Sequence, residues 1–201
     1  MKNTILSTFF NKYDCDKAKK HKYDLIYEKF FNSIRYDNIN ILEIGIFKGN
    51  SIQAWLDYFP NATIYGVDIF ERVKPENIKI LNHPRVKWAK CDSTISNVKE
   101  WKDIQFDIII DDGLHTTEAN LKTFNSFKNQ LRGSYYIEDV WPLNIMSNEE
   151  LNHSWIQIKK DYSIEKYNSL LNELNQFGKV EHFDLRKKTM QPDSYIIKIT
   201  K

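Results

Sequence analysis

The stretch at residues 39–51 constrains the fold more than any other part of the chain. It reads I-N-I-L-E-I-G-I-F-K-G-N-S, an apolar run with one acid, Glu43, followed by Gly45 and Gly49 and then a helical pattern. Glycine lacks a Cβ atom and tolerates positive φ, so the pattern predicts a strand, a tight turn and a helix. A strand that is apolar on both faces belongs inside a parallel sheet, whose carboxyl edge binds nucleotide-like ligands.

The spacing of the two glycines indicates which ligand the turn holds. Dinucleotide-binding turns read G-x-G-x-x-G, whereas this turn reads E-x-G-x-x-x-G-x-S with Phe47 at the middle position. The pattern resembles motif I of the class I S-adenosylmethionine-dependent methyltransferases, where the acid and the glycine loop hold the methionine part of the cofactor. The resemblance implies that Glu43, Gly45, Gly49 and Ser51 bind S-adenosylmethionine.

Acids also end the second and third predicted strands. Asp68 follows the glycine turn by about 20 residues, where an acid binds the ribose hydroxyls of a nucleoside. This position does not distinguish NAD from S-adenosylmethionine, and Ile69 beside it is predicted to cover the adenine. Asp92 and Ser93 end the third predicted strand. In S-adenosylmethionine-dependent enzymes an acid at this place reaches the adenine amino group, often beside a hydroxyl residue.

Paired acids end the fourth and fifth predicted strands, Asp111 with Asp112 and Glu138 with Asp139. Parallel strands end at one edge of a sheet, so these four carboxylates are expected to converge and to repel each other unless a cation joins them. Oxygen ligands favour Mg²⁺, with Ca²⁺ or Mn²⁺ as alternatives, over zinc. His115 is predicted at the rim of the same cleft, where a neutral imidazole accepts a hydroxyl proton. A metal and a base together indicate methylation of oxygen.

These motifs, from about residue 10 to residue 140, resemble the metal-dependent sugar O-methyltransferases of natural-product pathways. That group includes the macrolide-sugar enzymes and the cephalosporin-hydroxylase and rhamnosyl O-methyltransferase relatives. The matching motifs are L-E-I-G with Gly49 and Ser51, then Trp55 with F-P-N-A, Y-G-V-D at Asp68, D-D-G with His115, and I-E-D at Asp139.

The resemblance implies the roles of several site residues. Asp112, Glu138 and Asp139 would bind Mg²⁺, His115 would be the catalytic base acting beside Asp112, and Asp111 would face the amino group of S-adenosylmethionine. The acceptor would be a sugar hydroxyl, on a free sugar, a nucleotide-linked sugar or a glycoconjugate.

The fold implied is a Rossmann-like α/β sheet of seven mostly parallel strands, with the last strand antiparallel and helices on both faces. We expect one methyltransferase domain over residues 1–201, with a helical cap or lid at 1–38 and the core at 39–201. Within the core, short periodic segments predict a crossover helix at 95–102, a helix at 116–131 that Gly133 closes, and a long helix at about 150–177.

The N-terminal region departs from the family pattern. The family often reads Gly-Thr-Asp-Lys and then His-x-Tyr, whereas this chain reads D-C-D-K ending at Lys17 and then His21 and Tyr23. The lysine cluster of this region is interpreted as a solvated face. The macrolide-sugar enzymes also carry an additional N-terminal region that helps them to oligomerise, so the oligomeric state and the acceptor stay open, with a homo-oligomer as one possibility.

Composition excludes several classes of partner. The 201 residues carry 29 basic and 27 acidic side chains, a net charge of +2 that gives no reason to expect nucleic-acid binding. No apolar run approaches the ~20 residues of a membrane span, so no membrane partner is expected. The two cysteines, Cys15 and Cys91, lie far apart in sequence, which favours a reducing compartment and a cytoplasmic location.

Three alternatives remain beside the sugar O-methyltransferase. A metal-dependent methyltransferase of a catechol-like molecule would use the same acids, because two adjacent hydroxyls suit one Mg²⁺. An NAD enzyme acting on nucleotide sugars is disfavoured by Phe47 at the middle position of the glycine turn. A non-catalytic binding module with this fold would not need the acids or His115.

Overall fold

The computed structural model describes residues 4–152 and 162–201. Its centre is one seven-stranded sheet in the order β3-β2-β1-β4-β5-β7-β6. Strands β1 to β5 pair in parallel, and β7 is antiparallel to both β5 and β6, as the sequence predicts. The strands are β1 (Asn40–Ile44), β2 (Thr63–Asp68), β3 (Val86–Lys90), β4 (Phe106–Asp111), β5 (Leu131–Ile137), β6 (Lys179–Asp184) and β7 (Tyr195–Thr200).

Eight α-helices and several short 3-10 turns surround the sheet in the described ranges. The helices are α1 (Ile5–Lys12), α2 (Asp16–Lys19), α3 (Asp24–Phe31), α4 (Asn50–Tyr58), α5 (Thr117–Phe127), α6 (Asn148–Leu151), α7 (Ile164–Phe177) and α8 (Arg186–Thr189). Among residues 4–152 and 162–201, no helix combines the length and the apolar character that a bilayer crossing requires.

The strands bury alternate side chains in two separate cores, one on each face of the sheet. In β1, Ile41 joins the core that includes the aromatic residues of α1, α3 and α4, and Leu42 joins the core that includes those of α5 and α7. Strand β4, which pairs with β1 in the sheet, repeats the pattern, with Ile108 and Ile110 on the first face and Ile109 on the second. Period-two alternation between two apolar layers is why these strands read as nearly continuous apolar runs.

The chain reverses direction across the sheet between β1 and β4. From β1 it runs outward through β2 and β3, and it then returns to pair β4 on the other side of β1. Loops that follow the two strands therefore diverge and leave a crevice at their carboxyl ends. The Asp112 N–H closes the floor of this crevice by donating to the Ile44 carbonyl at 2.9 Å.

Three local predictions are wrong or only partly testable. Residues 95–102 contain a 3-10 turn at Lys99–Trp101 in place of a crossover helix. Gly133 lies inside β5, because α5 ends at Phe127 and a 3-10 turn leads directly into the strand. The predicted helix at 150–177 corresponds to the end of α6 and to α7, and its members Trp155 and Ile158 lie outside the described residues.

Candidate active site

A cavity of about 610 Å³ occupies the crevice at the carboxyl ends of the central strands. Three sources form its wall: the glycine turn after β1, the loops after β2 to β5, and the N-terminal segment around α2. Among the predicted site residues, the wall contains Gly45, Ser51, Asp68, Ile69, Asp92, Ser93, Asp112, His115, Glu138 and Asp139.

Gly45 is the residue on which the turn depends. Its φ is +94°, and a Cβ atom built on it would lie 2.1 Å from the Asp112 carbonyl oxygen. The turn after β1 therefore packs directly on the backbone after β4, which only glycine allows. Gly49, with φ of +74°, starts α4 and packs against Ile80, so it shapes the turn from behind the cavity wall.

Asp68, at the end of β2, holds the glycine turn as well as lining the cavity. One carboxylate oxygen accepts the N–H groups of Ile46 and Phe47 at 2.8 and 2.9 Å, and the other accepts that of Phe70 at 2.6 Å. An ionised carboxylate offers about four acceptor sites, so one remains beyond these three bonds. Binding of both ribose hydroxyls by Asp68 stays a prediction, and it would require shared acceptors.

The predicted adenine end of the cavity is built from Ile69, Asp92 and Ser93. Ile69 is 42% exposed at the mouth, which leaves its side chain free to cover a planar ring. The Asp92 carboxylate accepts from the N–H and hydroxyl of Thr94 at 2.9 and 2.6 Å, and Ser93 is 3.0 Å from the Thr123 hydroxyl. These local bonds fix the loop, and contact with adenine stays a prediction.

Glu43 is not among the residues that line the cavity, and its binding to the cofactor stays a prediction. Strand alternation points it away from the second core, beneath the glycine turn, where it is fully buried. Its carboxylate accepts from the Ser51 hydroxyl at 2.8 Å and from the Trp55 indole at 3.4 Å, and Lys17 lies 3.7 Å away. Burial raises the pKa of Glu43 to about 7 despite this lysine.

Asp111 also lies outside the cavity wall, and its predicted contact with the amino group of the cofactor stays a prediction. As the last residue of β4 it follows Ile110 on the opposite face, toward α5, and it is 1% exposed. It accepts from Asn120, Gly113 and Tyr135 at 3.3 to 3.4 Å. Burial raises its pKa to about 6. Asp111 therefore supports the loop from below, and only Asp112 enters the cavity.

Asp112, His115 and Asp139 converge at one side of the cavity. One ligand atom from each lies within 4.8 Å of the others, a spacing that fits a metal ion. His115 Nε2 is 3.5 Å from Asp112 Oδ1 and 3.9 Å from Asp139 Oδ2. Glu138 lines the same cavity but stands outside this group, and its two oxygens accept from Lys17 and from the Tyr27 hydroxyl.

Several residues that line the cavity have a strained backbone conformation, which orients their side chains. Within the described ranges, seven non-glycine residues have positive φ, and four of them, Asp14, Phe47, His115 and Asp139, line the cavity. Such conformations cost about 1–3 kcal/mol each and persist where the surroundings impose them. Their concentration here supports the assignment of this cavity as the functional site.

The N-terminal segment supplies residues that the sequence analysis missed. Lys17 is buried with its ammonium 2.5 Å from Asp112, so the interpretation of the lysine cluster as a solvated face is wrong for this member. Tyr23 donates to Asp139 at 2.6 Å, and His21 Nδ1 lies 3.5 Å from the same residue. Lys17, His21 and Tyr23 agree with the family pattern, which the chain leaves at Asp14 and Cys15, and this agreement was the available signal. Whether this segment moves as a lid stays a prediction.

Sequence comparison agrees with the predicted resemblance. No protein-family model matches the chain. The mycinamicin VI 2''-O-methyltransferase of Micromonospora griseorubida is 28% identical over 124 residues, which are 57% of this chain and 30% of that protein. The demethylmacrocin O-methyltransferase of Streptomyces fradiae is 31% identical over 124 residues, 57% of this chain and 31% of that protein. The chain thus matches about a third of the length of these curated relatives.

Structural comparison confirms the predicted fold. The MycE methyltransferase from the mycinamycin biosynthetic pathway, solved in complex with Mg and SAH, superposes with a TM-score of 0.67 at 22% identity. The superposition covers 98% of this chain and 55% of MycE. The chain therefore has the Rossmann-like class I methyltransferase fold, and its sequence resembles the sugar O-methyltransferases of macrolide and tetracenomycin pathways.

Proposed function

We propose that the protein is an S-adenosylmethionine-dependent O-methyltransferase that uses a divalent cation, Mg²⁺ in the first instance, and acts on a hydroxyl of a sugar. The observation that carries the proposal is the convergence of Asp112, His115 and Asp139 on a cavity whose other half is a glycine turn and Asp68. The acceptor class comes from curated relatives whose names contain a rhamnosyl or an olivosyl group.

The donor set fits a magnesium ion. Mg²⁺ is usually bound through one or two carboxylates and keeps several waters, and Asp112 and Asp139 supply two carboxylates at the cavity. With these as ligands, the imidazole of His115 is left for proton transfer. Binding by Glu138 as well stays a prediction, since its carboxylate is already engaged by Lys17 and Tyr27. When bound, such a cation makes a hydroxyl that it contacts more acidic.

His115 is proposed as the general base. The backbone of His115 has a φ of 58°, and its carbonyl accepts a hydrogen bond from the Tyr162 hydroxyl. These two features fix the backbone position from which the imidazole ring extends. Nε2 faces the cavity between Asp112 and Asp139, in a position to take the acceptor's O–H proton. S-adenosylmethionine supplies the methyl group from its sulfonium. Holding the two reactants together supplies much of the acceleration.

The cofactor side of the cavity is assigned to five residues. Gly45 lets a ligand approach the backbone of the turn, and Asp68 faces the ribose position. Ile69, Asp92 and Ser93 lie where the adenine of class I methyltransferases is expected. All five line the cavity, whereas Glu43 and Asp111 act from behind its wall.

The proposal is tested by following S-adenosylhomocysteine formation with a panel of acceptors. The panel contains free 6-deoxyhexoses, nucleotide-linked sugars, glycosides and a catechol, each with Mg²⁺ or with EDTA. We expect turnover with a sugar acceptor in Mg²⁺ and its loss in EDTA. Turnover with the catechol alone would replace the acceptor class, and turnover that EDTA leaves unchanged would contradict the role of the cation.

A further inference from the structure

Lys17 is the buried cation of an otherwise acidic cluster. Its Nζ lies 2.5 Å from Asp112 Oδ2 and 3.7 Å from Glu43 Oε1, and it also donates to Glu138. Only 2% of the Lys17 side chain is exposed, and Glu43 and Glu138 are equally buried. A lysine is almost never fully buried unless it is paired. The burial of Lys17 therefore depends on its ion pairs with these carboxylates.

The neighbouring lysine shows that the placement is not a property of the helix. Lys19, also on α2, has a side chain that is 65% exposed, and its Nζ lies 3.5 Å from Asp14 Oδ1. Lys17, in contrast, places its ammonium among the carboxylates of Asp112, Glu138 and Glu43.

We propose that Lys17 is a positioning residue that acts as a built-in counterion for Asp112, Glu138 and Glu43, so that the acidic cluster is assembled before any divalent cation binds. Its ammonium joins the layer beneath the glycine turn, through Glu43, to the ends of β4 and β5. The contribution of Lys17 to turnover rests on the proposed function, whereas its role as a counterion does not.

The contacts explain how Lys17 directs Asp112. The Lys17 ammonium donates to Asp112 Oδ2, and the other oxygen, Oδ1, lies 3.5 Å from His115 Nε2. Lys17 and Tyr27 together engage both oxygens of Glu138, so this side chain has a fixed rotamer. Without the ammonium, the buried carboxylates of Glu43 and Glu138 would face the partly exposed Asp112 with no cation between them. Their repulsion would turn Asp112 away from His115.

Thermal unfolding in EDTA and in Mg²⁺ tests the counterion role without any assay of activity. Removing one partner of a buried ion pair predicts that Lys17→Met melts about 6 to 20 °C below wild type in EDTA. Mg²⁺ should recover part of this loss, since it supplies the missing charge. The double variant Lys17→Met with Glu138→Gln removes one charge of each sign and should melt above the single variant in EDTA. Lys19→Met is the matched control and should melt as wild type.

Two results would overturn the proposal. One is a Lys17→Met protein that melts as wild type in EDTA, and the other is a loss that neither Mg²⁺ nor Glu138→Gln reduces, which would assign Lys17 to packing alone. If Lys17→Met does not fold, the double variant in EDTA decides between the counterion role and packing alone. A double variant that folds supports the counterion role, and one that does not fold assigns Lys17 to packing.

A kinetic measurement then separates positioning from stability. At a temperature where both proteins are folded and with saturating Mg²⁺, Lys17→Met should lower kcat about 10- to 100-fold, as loss of a residue that orients a metal ligand does. Its affinity for S-adenosylmethionine should stay that of wild type. An unchanged kcat contradicts the positioning role. Absence of turnover in the wild type contradicts the proposed function instead and leaves the melting result valid.

Discussion

His115→Ala is expected to lower kcat by about 10²- to 10⁴-fold, the range that a general base contributes, while S-adenosylmethionine still binds. The imidazole faces the cavity between two carboxylates, and no other histidine in the described ranges lies within 4 Å of Asp112. The measurement is steady-state turnover at saturating acceptor and Mg²⁺, together with the affinity for the cofactor. His182→Ala, at an exposed position on β6, is the matched control and should leave kcat unchanged.

The Mg²⁺ dependence of the same variant separates a base from a ligand. If His115 accepts the proton, the Mg²⁺ concentration for half-maximal activity should stay that of wild type while kcat falls. If His115 binds the cation through Nε2, the half-maximal concentration rises as well, and the base assignment is wrong. Full turnover in His115→Ala would contradict both roles.

Gly45→Ala is expected to produce the largest loss among substitutions outside the acidic cluster. A side chain at φ of +94° carries backbone strain of about 1–3 kcal/mol. The added Cβ would also lie 2.1 Å from the Asp112 carbonyl oxygen, so the turn and the loop after β4 must separate. We expect melting to fall by about 10 °C or more, with loss of S-adenosylmethionine binding in whatever remains folded.

Gly113→Ala is the control for this prediction, because it makes the same change in the facing loop. Gly113 has no positive φ, and a Cβ there would lie 3.2 Å from the Asp111 carboxylate and 3.5 Å from the Ile44 side chain, with no backbone atom as close as at Gly45. Its melting temperature should fall much less than that of Gly45→Ala. Equal losses in the two variants would show that the close approach at Gly45 is not what determines the stability of this edge.

The sequence was sufficient for the sheet because its information is local. Runs such as Ile108 to Ile110 identify buried strands, and each acid that ends a strand falls at the same edge once the strands are parallel. The difference between Asp111 and Asp112 required one more step. Alternation places neighbours on opposite faces, so only one of the two can enter the cavity, and the exact end of β4 decides which.

The positions of Lys17 and Glu43 in the site could not be predicted from local sequence patterns. Lys17 meets Asp112 across 95 residues of sequence and Glu138 across 121, and its composition context is that of a surface cluster. Glu43 fits the cofactor motif in sequence, yet its strand turns it beneath the glycine turn toward Ser51 and Trp55. Long-range packing of α2 against the sheet edge therefore decides which charges face the ligand.

The measurement that tests the central assignment most directly is a thermal melt with S-adenosylmethionine, with NADH and with neither, each in Mg²⁺ and in EDTA. A ligand at about 100 times its dissociation constant adds roughly 2.7 kcal/mol to the free energy of unfolding, which for a chain of this size is roughly 5 to 10 °C. We predict this shift with S-adenosylmethionine and none with NADH. A shift with NADH and none with S-adenosylmethionine would contradict the assignment of the cavity from Gly45 onward.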